Sequence, residues 1–263
     1  MASMRINSIS EPLRRSHFVK VLLIAFLVLL LQIPIARIRR IIREREQTRA
    51  GAVEEVTAKW GDSQSIIGPS IIVPYVNRSF QRDNRRQRPS TDVEYAAFLP
   101  ESLTISGNVI SELRYRGIFE IPVYRMSLDL GGRFSRPDFS EWAIDPNDIL
   151  WDRASLSLQI ADARAMTKSP EVLWSGQAMD SLPGAGEFGG NEQGIHIKLR
   201  DKLNGDNFDF SFSLEINGSL GVFFAPLGRD TEVQISSNWR SPSFQGAWLP
   251  TNRTVTNDGF RAT

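Results

Sequence analysis

The longest apolar run in the chain limits what the rest of it can fold into. Residues Val21 to Ile35 carry no charge, and twelve of the fifteen are Val, Ile, Leu or Phe. Extended to residues 18–36, with Lys20 near one end, the run would form a helix about 28 Å long at ~1.5 Å per residue. The hydrocarbon layer of a bilayer is about 30 Å thick. We therefore predict a transmembrane helix at residues 18–36.

A cleaved secretory signal and a buried helix of a soluble protein are the competing interpretations. The basic residues before the run would suit a signal. Cleavage, however, needs small residues just after the apolar stretch. The chain instead continues Ala36-Arg37-Ile38-Arg39-Arg40, which favours an anchor that is kept.

Charge is divided unevenly along the chain. Residues 1–49 carry ten Lys or Arg and three Asp or Glu, a net charge of +7, whereas the remainder has 21 basic and 27 acidic residues, a net of −6. Arginines are dense just after the apolar run, which by the positive-inside rule alone would put that side in the cytoplasm. Long following domains weaken that rule, so charge alone leaves the orientation open. The acidic remainder argues against nucleic acid as a partner, because phosphate binding needs clustered cations.

The first part of the chain after the apolar run has a helical pattern. Apolar residues from Ile35 to Val56 recur at three- and four-residue spacings, and Gly61 is a helix stop signal. We predict a helical stalk at residues 37–60 between the membrane helix and a domain at 61–263. Residues 1–17 would form an N-terminal tail.

Beyond Gly61 the pattern changes to the alternation of β-strands. Phe208 to Ile216 alternates apolar and polar side chains over nine residues, which predicts a strand with one buried face and one solvated face. Shorter alternations occur at 156–160, 195–199 and 233–235. The fold class we predict is mainly β, an antiparallel β-sandwich or distorted barrel preceded by one transmembrane helix and its stalk.

Glycine and proline signals separate these strands in the sequence. We predict turns at Gly107-Asn108, Gly131-Gly132, Asp145-Pro146-Asn147, Asn204-Gly205-Asp206 and Asn217-Gly218. Pro122 predicts a strand edge or a bulge. The glycine-rich stretch from Ser181 to Gly194 is predicted to be a long loop.

Residues that could carry chemistry are few. There is no cysteine, which excludes thiolate metal sites. Gly184 to Gly189 matches G-x-G-x-x-G but lacks the strand-to-helix context that dinucleotide binding needs. His17 and His196 are the only histidines, and Asp145, Asn147 and Asp148 are too few for a calcium loop. Most of the six tryptophans are expected in the core or its rim, although some could form a sugar-stacking platform. We predict no catalytic residue, no cofactor and no metal.

One arginine cluster is the single candidate for a binding site. Arg82, Arg85, Arg86 and Arg88 lie in a polar segment between two strand-like runs. They would either solvate a hairpin loop or contact an anionic partner such as lipid headgroups or an envelope polymer. The solvated loop is the preferred interpretation.

A series of short motifs follows the apolar run in a fixed order. They are Gly68–Pro74 (GPSIIVP), Phe98–Leu103 (FLPESL), Arg116–Tyr124 (RGIFEIPVY), Ala161–Arg164 (ADAR), Gly194–Ile197 (GIHI), Asn217–Leu220 (NGSL), Ala225–Gly228 (APLG), Ser237–Trp239 (SNW), Pro242–Gly246 (PSFQG), Leu249–Pro250 and Asp258–Phe260 (DGF). In order and spacing this series resembles the CreD family of inner-membrane proteins, and the resemblance runs from the apolar segment to the last residue.

The resemblance implies a non-enzymatic cell-envelope integrity protein of the bacterial inner membrane. It implies a cytoplasmic tail, a periplasmic main domain and a link to β-lactam and colicin tolerance, with the lipid bilayer and other envelope proteins or polymers as partners. It also implies further membrane helices beyond Thr263, so the chain is expected to be incomplete. No binding residues are established for the family. The alternatives are a periplasmic lipid- or peptide-binding module and a cell-wall hydrolase, which would need converging carboxylates or a Ser/His pair.

Overall fold

The first structural unit is helical. The computed structural model describes residues 17–83, 86–186 and 193–263, and the side chains of 20–78, 91–186 and 193–263. Helix α1 runs from His17 to Trp60. Every residue from Lys20 to Gly51 is exposed. Among the described residues, α1 alone is long and apolar enough to cross a membrane.

The helix is continuous through the predicted junction between the membrane segment and the stalk. Pro34 therefore lies in the interior of α1. A proline in a helix interior removes one backbone hydrogen bond. Helices in a bilayer tolerate this because neighbouring groups and local adjustments satisfy the freed carbonyl.

The second unit, Glu55–Thr263, is built mainly of strands. They are β1 (Gln64–Asp83), β2 (Arg86–Phe98), β3 (Ser102–Arg116), β4 (Phe119–Ser135), β5 (Ser155–Ile160), β6 (Glu171–Trp174), β7 (Gln177–Met179), β8 (Leu182–Pro183), β9 (Gly194–Lys198), β10 (Asn207–Ser219), β11 (Val222–Ala225), β12 (Asp230–Ser237), β13 (Arg253–Thr256) and β14 (Gly259–Ala262).

These strands form two sheets. The smaller has the order β11-β1-β5-β9-β8, with β2 also paired to β1, and the larger has the order β13-β14-β12-β3-β4-β10-β6-β7. Pairing is antiparallel except for β1 with β11 and β3 with β12. The mainly β, largely antiparallel fold predicted from the sequence is confirmed, and neither sheet closes into a barrel.

A single apolar core joins the two sheets. Ile71 and Val73 of β1 and Leu156 of β5 belong to the same buried cluster as Leu128 of β4 and Phe212 of β10. This is the sheet-on-sheet arrangement that two one-sided sheets must adopt to remove their apolar faces from water.

The alternation in β10 has the predicted consequence. Phe208, Phe210, Phe212, Leu214 and Ile216 are all buried, whereas Asp209 and Ser213 are exposed and Ser211 and Glu215 are partly exposed. The same alternation in β5 is less informative, because Ser155 and Ser157 on its other face are buried as well.

The second face of β5 is covered by part of the stretch predicted to be a long loop. The hydroxyl of Ser157 donates a hydrogen bond of 2.7 Å to the carbonyl of Ala185, which is itself buried. Leu182 and Pro183 form a short strand against β9. The prediction of one long loop from Ser181 to Gly194 is therefore wrong at Leu182 and Pro183, and at Gly194, where β9 begins. Residues 184–186 form bends and a turn, as a loop does, and residues 187–192 lie outside the described part.

Three of the five predicted turns are wrong, because their glycines lie inside strands. Gly107 is in β3, Gly131 and Gly132 are in β4, and Gly218 is in β10. A Cβ at Gly132 would lie 2.0 Å from the carbonyl oxygen of Ser102, and one at Gly218 would lie 2.3 Å from the hydroxyl of Tyr124. These glycines permit close packing within the sandwich. The turns at Asp145–Asn147 and Asn204–Asp206 are confirmed.

Pro122 lies where β4 has lost one of its neighbours. It pairs with Leu113 of β3, but the ladder between β4 and β10 ends at Val123 and Ser219. At Pro122, β4 is therefore paired with β3 alone, and the missing N–H of proline removes no ladder hydrogen bond to a second strand. The predicted strand edge is confirmed.

Candidate membrane anchor and polar recess

The last turn of α1 is fixed to the β3–β4 hairpin by Trp60. Its indole N–H donates a hydrogen bond of 3.0 Å to the carbonyl of Tyr124. The guanidinium carbons of Arg114 and Arg125 lie 4.7 Å and 5.8 Å from the centre of the Trp60 ring. At these distances both guanidinium groups make cation–π contacts with the indole ring. We call Trp60, Arg114, Tyr124 and Arg125 the helix-end cluster.

An ion pair continues this contact one helical turn earlier. The guanidinium of Arg116 lies 2.7 Å from the carboxylate of Glu55, which also pairs with Lys59 at 3.5 Å. All three side chains are substantially exposed, so each pair stabilises the contact only slightly.

A group of buried hydrogen bonds lies just after the helix. Gly61 ends α1 with φ at +118°, and its carbonyl accepts a 2.9 Å hydrogen bond from the hydroxyl of Ser219. Gln64 is fully buried. Its amide nitrogen donates to the carbonyl of Asn217 at 3.0 Å, while its amide oxygen accepts from the backbone N–H of Asp162 at 3.2 Å. The segment from Gly61 to Gln64 is thus hydrogen-bonded to β10 of the larger sheet and to the turn that follows β5 of the smaller sheet.

Tyr124 shows how tightly this region is packed. Its hydroxyl donates a hydrogen bond of 2.8 Å to the carbonyl of Gly221. Burial raises the pKa of Tyr124 above its ordinary value, because the phenolate would lose its hydration. The group therefore stays neutral and serves as a structural donor.

The outer face of the larger sheet contains a recess of about 390 Å³, which we call the polar recess. It is lined by residues of β3, β4, β12 and β14. They are Ser106, Gly107, Asn108, Ser127, Asp129, Gln234, Ser236 and Arg261. Strand pairing places these residues side by side, since Ser106 faces Asp129 on one neighbour and Gln234 on the other.

Some of these polar groups are already satisfied and others are not. Ser236 donates to the side-chain oxygen of Asn108 at 3.2 Å, and Asp129 accepts a 2.7 Å hydrogen bond from Ser213. Within the described part of the chain, no side-chain hydrogen bond or ion pair is made by four lining residues. They are Ser106, Ser127, Gln234 and Arg261.

Strand pairing extends into the segment that contains the predicted arginine site, up to Asp83 and Arg86. Arg82 lies in β1 and Arg86 and Arg88 lie in β2, where they pair across the hairpin with Gln87, Asp83 and Gln81. The polar character of the segment indicated a loop, but strand pairing depends on backbone groups, which all these residues supply except Pro89, whose N–H is missing. Arg85 and the side chains of all four lie outside the described residues.

The other candidates are structural. His196 is half-buried, and its Nδ1 lies 2.8 Å from the carbonyl of Gly184. Hydrogen bonds from the backbone and side chain of Asn147 lower the pKa of Asp145. Asp148 pairs with Arg78. No group of three or more His, Cys, Asp or Glu that could hold a metal occurs among the described residues.

The tryptophans are dispersed. Trp174 is buried in the core, Trp142 and Trp151 contact Phe139, and Trp248 is exposed. None of them lines the polar recess. The recess also contains one carboxylate, Asp129, and no histidine, so it lacks the paired carboxylates or the Ser/His pair that a wall hydrolase would need.

Comparison with known proteins decides the family. The model of the family described as Inner membrane protein CreD matches residues 16–263. The chain belongs to the CreD family. A relative, Inner membrane protein CreD of Escherichia coli strain K12, is 33% identical over 241 residues, which covers 89% of this chain and 52% of that protein. The chain thus spans about half the length of this CreD relative.

Among solved structures there is no significant match. No ligand position can therefore be taken from a solved relative.

Proposed function

We propose that this chain is a membrane-anchored, non-enzymatic envelope-integrity protein whose β-sandwich lies in the periplasm. One observation carries the proposal. An exposed apolar helix of membrane-spanning length ends directly in a β-sandwich, at the helix-end cluster. Membership of an inner-membrane family supports the anchor. The cytoplasmic tail and the role in envelope stress and β-lactam or colicin tolerance are parts of the same proposal.

Sidedness can be tested with single cysteines, because the chain contains none. Ala247→Cys is suited to labelling, since Ala247 is exposed, and Ser8→Cys reports on the N-terminal tail. A maleimide that cannot cross the inner membrane should label Ala247→Cys in cells with a permeabilised outer membrane. It should label Ser8→Cys only after lysis. The reverse pattern would show that the main domain is cytoplasmic.

The physiological role is tested by deletion and complementation. Cells that lack the full-length protein should become more sensitive to β-lactams and to detergents, and the wild-type gene should restore tolerance. A Trp60→Ala variant present at the wild-type level should restore it less well if the helix-end cluster matters to the role. Unchanged sensitivity after deletion would refute the proposed role.

The absence of enzymatic activity is tested separately. The purified chain in nanodiscs is incubated with peptidoglycan, and soluble fragments are measured by mass spectrometry. We expect none. Fragment release that disappears in an Asp129→Asn variant would instead support a cell-wall hydrolase. A lipid-binding module would be supported by a lipid that co-purifies in a fixed ratio, although the polar lining of the recess does not favour one.

A further inference from the structure

The polar recess has a composition that strand stability alone does not explain. Four outward-facing positions of β3 and β4 that line the recess carry short polar side chains. They are Ser106, Asn108, Ser127 and Asp129. None is a β-branched or aromatic residue, the types that strands favour. Positions that depart from local preference are those where a functional constraint is expected.

Longer side chains lie beside this area on the same sheet. Arg133 and Asp209 form an ion pair of 2.9 Å on one side, and Lys168 pairs with Glu215 on another. Arg261 and Gln234 extend from the neighbouring strands into the lining. All the lining residues lie on paired strands, so the recess is already formed before any ligand binds.

The lining chemistry restricts the class of ligand. An acyl chain would lose its apolar contacts against hydroxyls and amides. An anionic polymer needs clustered cations, whereas the lining has one cation, Arg261, and one carboxylate, Asp129. A peptide strand would pair with a free sheet edge, but β3 is already flanked by β4 and β12. The recess therefore offers a ligand only side-chain hydrogen-bond donors and acceptors.

We propose that the polar recess binds a neutral saccharide. Sugar hydroxyls both donate and accept hydrogen bonds, and so match the unpaired groups of Ser106, Ser127, Gln234 and Arg261. The volume of about 390 Å³ lies at the lower end of ligand pockets, about 300–1,000 Å³, which fits one or two sugar rings. Saccharide binding on an open sheet face has a precedent in the oligosaccharide-binding faces of OB-folds.

The test uses the full chain in phosphatidylcholine nanodiscs, prepared without glycoside detergents. Triacetylchitotriose and maltotriose are titrated, and binding is followed by saturation-transfer NMR. We expect at least one to bind with a dissociation constant of about 1 mM. The double variant Gln234→Ala/Arg261→Ala should bind about tenfold more weakly, because each lost hydrogen bond weakens binding by severalfold. Ser127→Leu, which fills the recess, should abolish binding.

A matched control lies on the same face. Thr104 and Glu232 pair across β3 and β12 but do not line the recess, so Thr104→Ala/Glu232→Ala should bind as the wild type does. Near-ultraviolet circular dichroism confirms folding, and if Ser127→Leu does not fold, the double variant decides. No binding of either trisaccharide up to about 10 mM, or equal loss in the control, overturns the proposal. Because purified protein is used, the result is independent of the sidedness test.

Discussion

Two neighbouring glycines in β4 have different surroundings, although the sequence does not distinguish them. A Cβ at Gly131 would have the carbonyl oxygen of Phe210 as its nearest neighbour, at 3.7 Å, which is ordinary contact. A Cβ at Gly132 would lie 2.0 Å from the carbonyl oxygen of Ser102 and 2.9 Å from the ring of Phe210. Only the second glycine is required by packing.

The pair gives a matched prediction. Gly132→Ala should lower the free energy of unfolding by at least about 2 kcal/mol, because the backbone of β3 must move to accept the methyl group. Gly131→Ala should change it by less than about 1 kcal/mol, and could raise it, since glycine costs strands ~0.5–1 kcal/mol relative to alanine. Thermal unfolding of the full chain in nanodiscs measures both. Equal effects would contradict the assignment of the inner and outer faces of β4.

The hydrogen bond between Tyr75 and Glu94 should make the stability of the protein depend on pH. The hydroxyl of Tyr75 donates a hydrogen bond of 2.6 Å to Glu94, which also accepts one of 2.7 Å from Asn77. The bond to Glu94, followed by burial, raises the pKa of Tyr75 to about 12. The same two hydrogen bonds lower the pKa of Glu94.

Because the pKa of Tyr75 is raised in the folded protein, stability should fall at alkaline pH. An unfolded tyrosine loses its proton near pH ~10, whereas folded Tyr75 keeps it until about pH 12. Between these values the unfolded state binds fewer protons, so stability falls as pH rises. Tyr75→Phe should lessen this alkaline loss of melting temperature, and Tyr115→Phe should not. An unchanged alkaline profile in Tyr75→Phe would rule out this contribution.

At the scale of elements, the end of α1 depends on an aromatic side chain rather than on charge pairs. Trp60 makes one hydrogen bond and two cation–π contacts with the β3–β4 hairpin. The Glu55–Arg116 pair beside it is exposed to water and salt, and exposed pairs stabilise by only ~0–1 kcal/mol. Removing the ring should therefore matter more than removing the ion pair.

Hydrogen exchange measures this difference directly. Trp60→Ala should speed exchange of the amides from Thr57 to Gly61, because the last turn of α1 loses its contact with the hairpin. Trp60→Phe should have a smaller effect, since it keeps the ring and loses one hydrogen bond, about 1 kcal/mol. Trp248→Ala is the control, as Trp248 is 78% exposed. If Trp248→Ala accelerates the same amides, Trp60 is not what holds the helix end.

The sequence predicted those elements whose signal is local. The period-two pattern identified β10 and the smaller strands at 156–160, 195–199 and 233–235, and the apolar run identified α1. The errors at Gly107, Gly132 and Gly218 share one cause. Glycine permits a turn and also permits close packing, and the local sequence does not say which neighbour will approach.

The polar recess could not be predicted because it depends on pairing between distant segments. Ser106 meets Gln234 only because β3 and β12 pair in parallel, and it meets Asp129 only because β3 and β4 form a hairpin. The one local signal was the identity of outward positions such as Ser106 and Ser127. Small hydroxyl residues there, in place of charged or β-branched ones, could have indicated a depression.

At the scale of the whole molecule, charge is divided unevenly along the chain. Residues 1–49 have a net charge of +7 and the rest has −6. Two arginine groups could attract an anion, Arg37 to Arg49 of α1 and the cluster of Arg82, Arg85, Arg86 and Arg88. A binding experiment must therefore separate them, because the helix arginines alone would bind an anionic polymer.

We expect that changing Arg82, Arg85, Arg86 and Arg88 to Ser leaves thermal stability and anion binding unchanged. The full chain in phosphatidylcholine nanodiscs is titrated with dextran sulfate at 0.01 M and 0.15 M salt, across which the Debye length falls from about 30 Å to about 8 Å. Any binding should weaken with salt to the same extent in the wild type and in this variant. A variant with Arg37, Arg39, Arg40 and Arg43 changed to Ser should lose that binding, because it removes the densest cations near the span. If the cluster variant instead loses most of the salt-sensitive binding while the helix variant keeps it, the cluster contacts an anionic partner and the solvated interpretation is wrong.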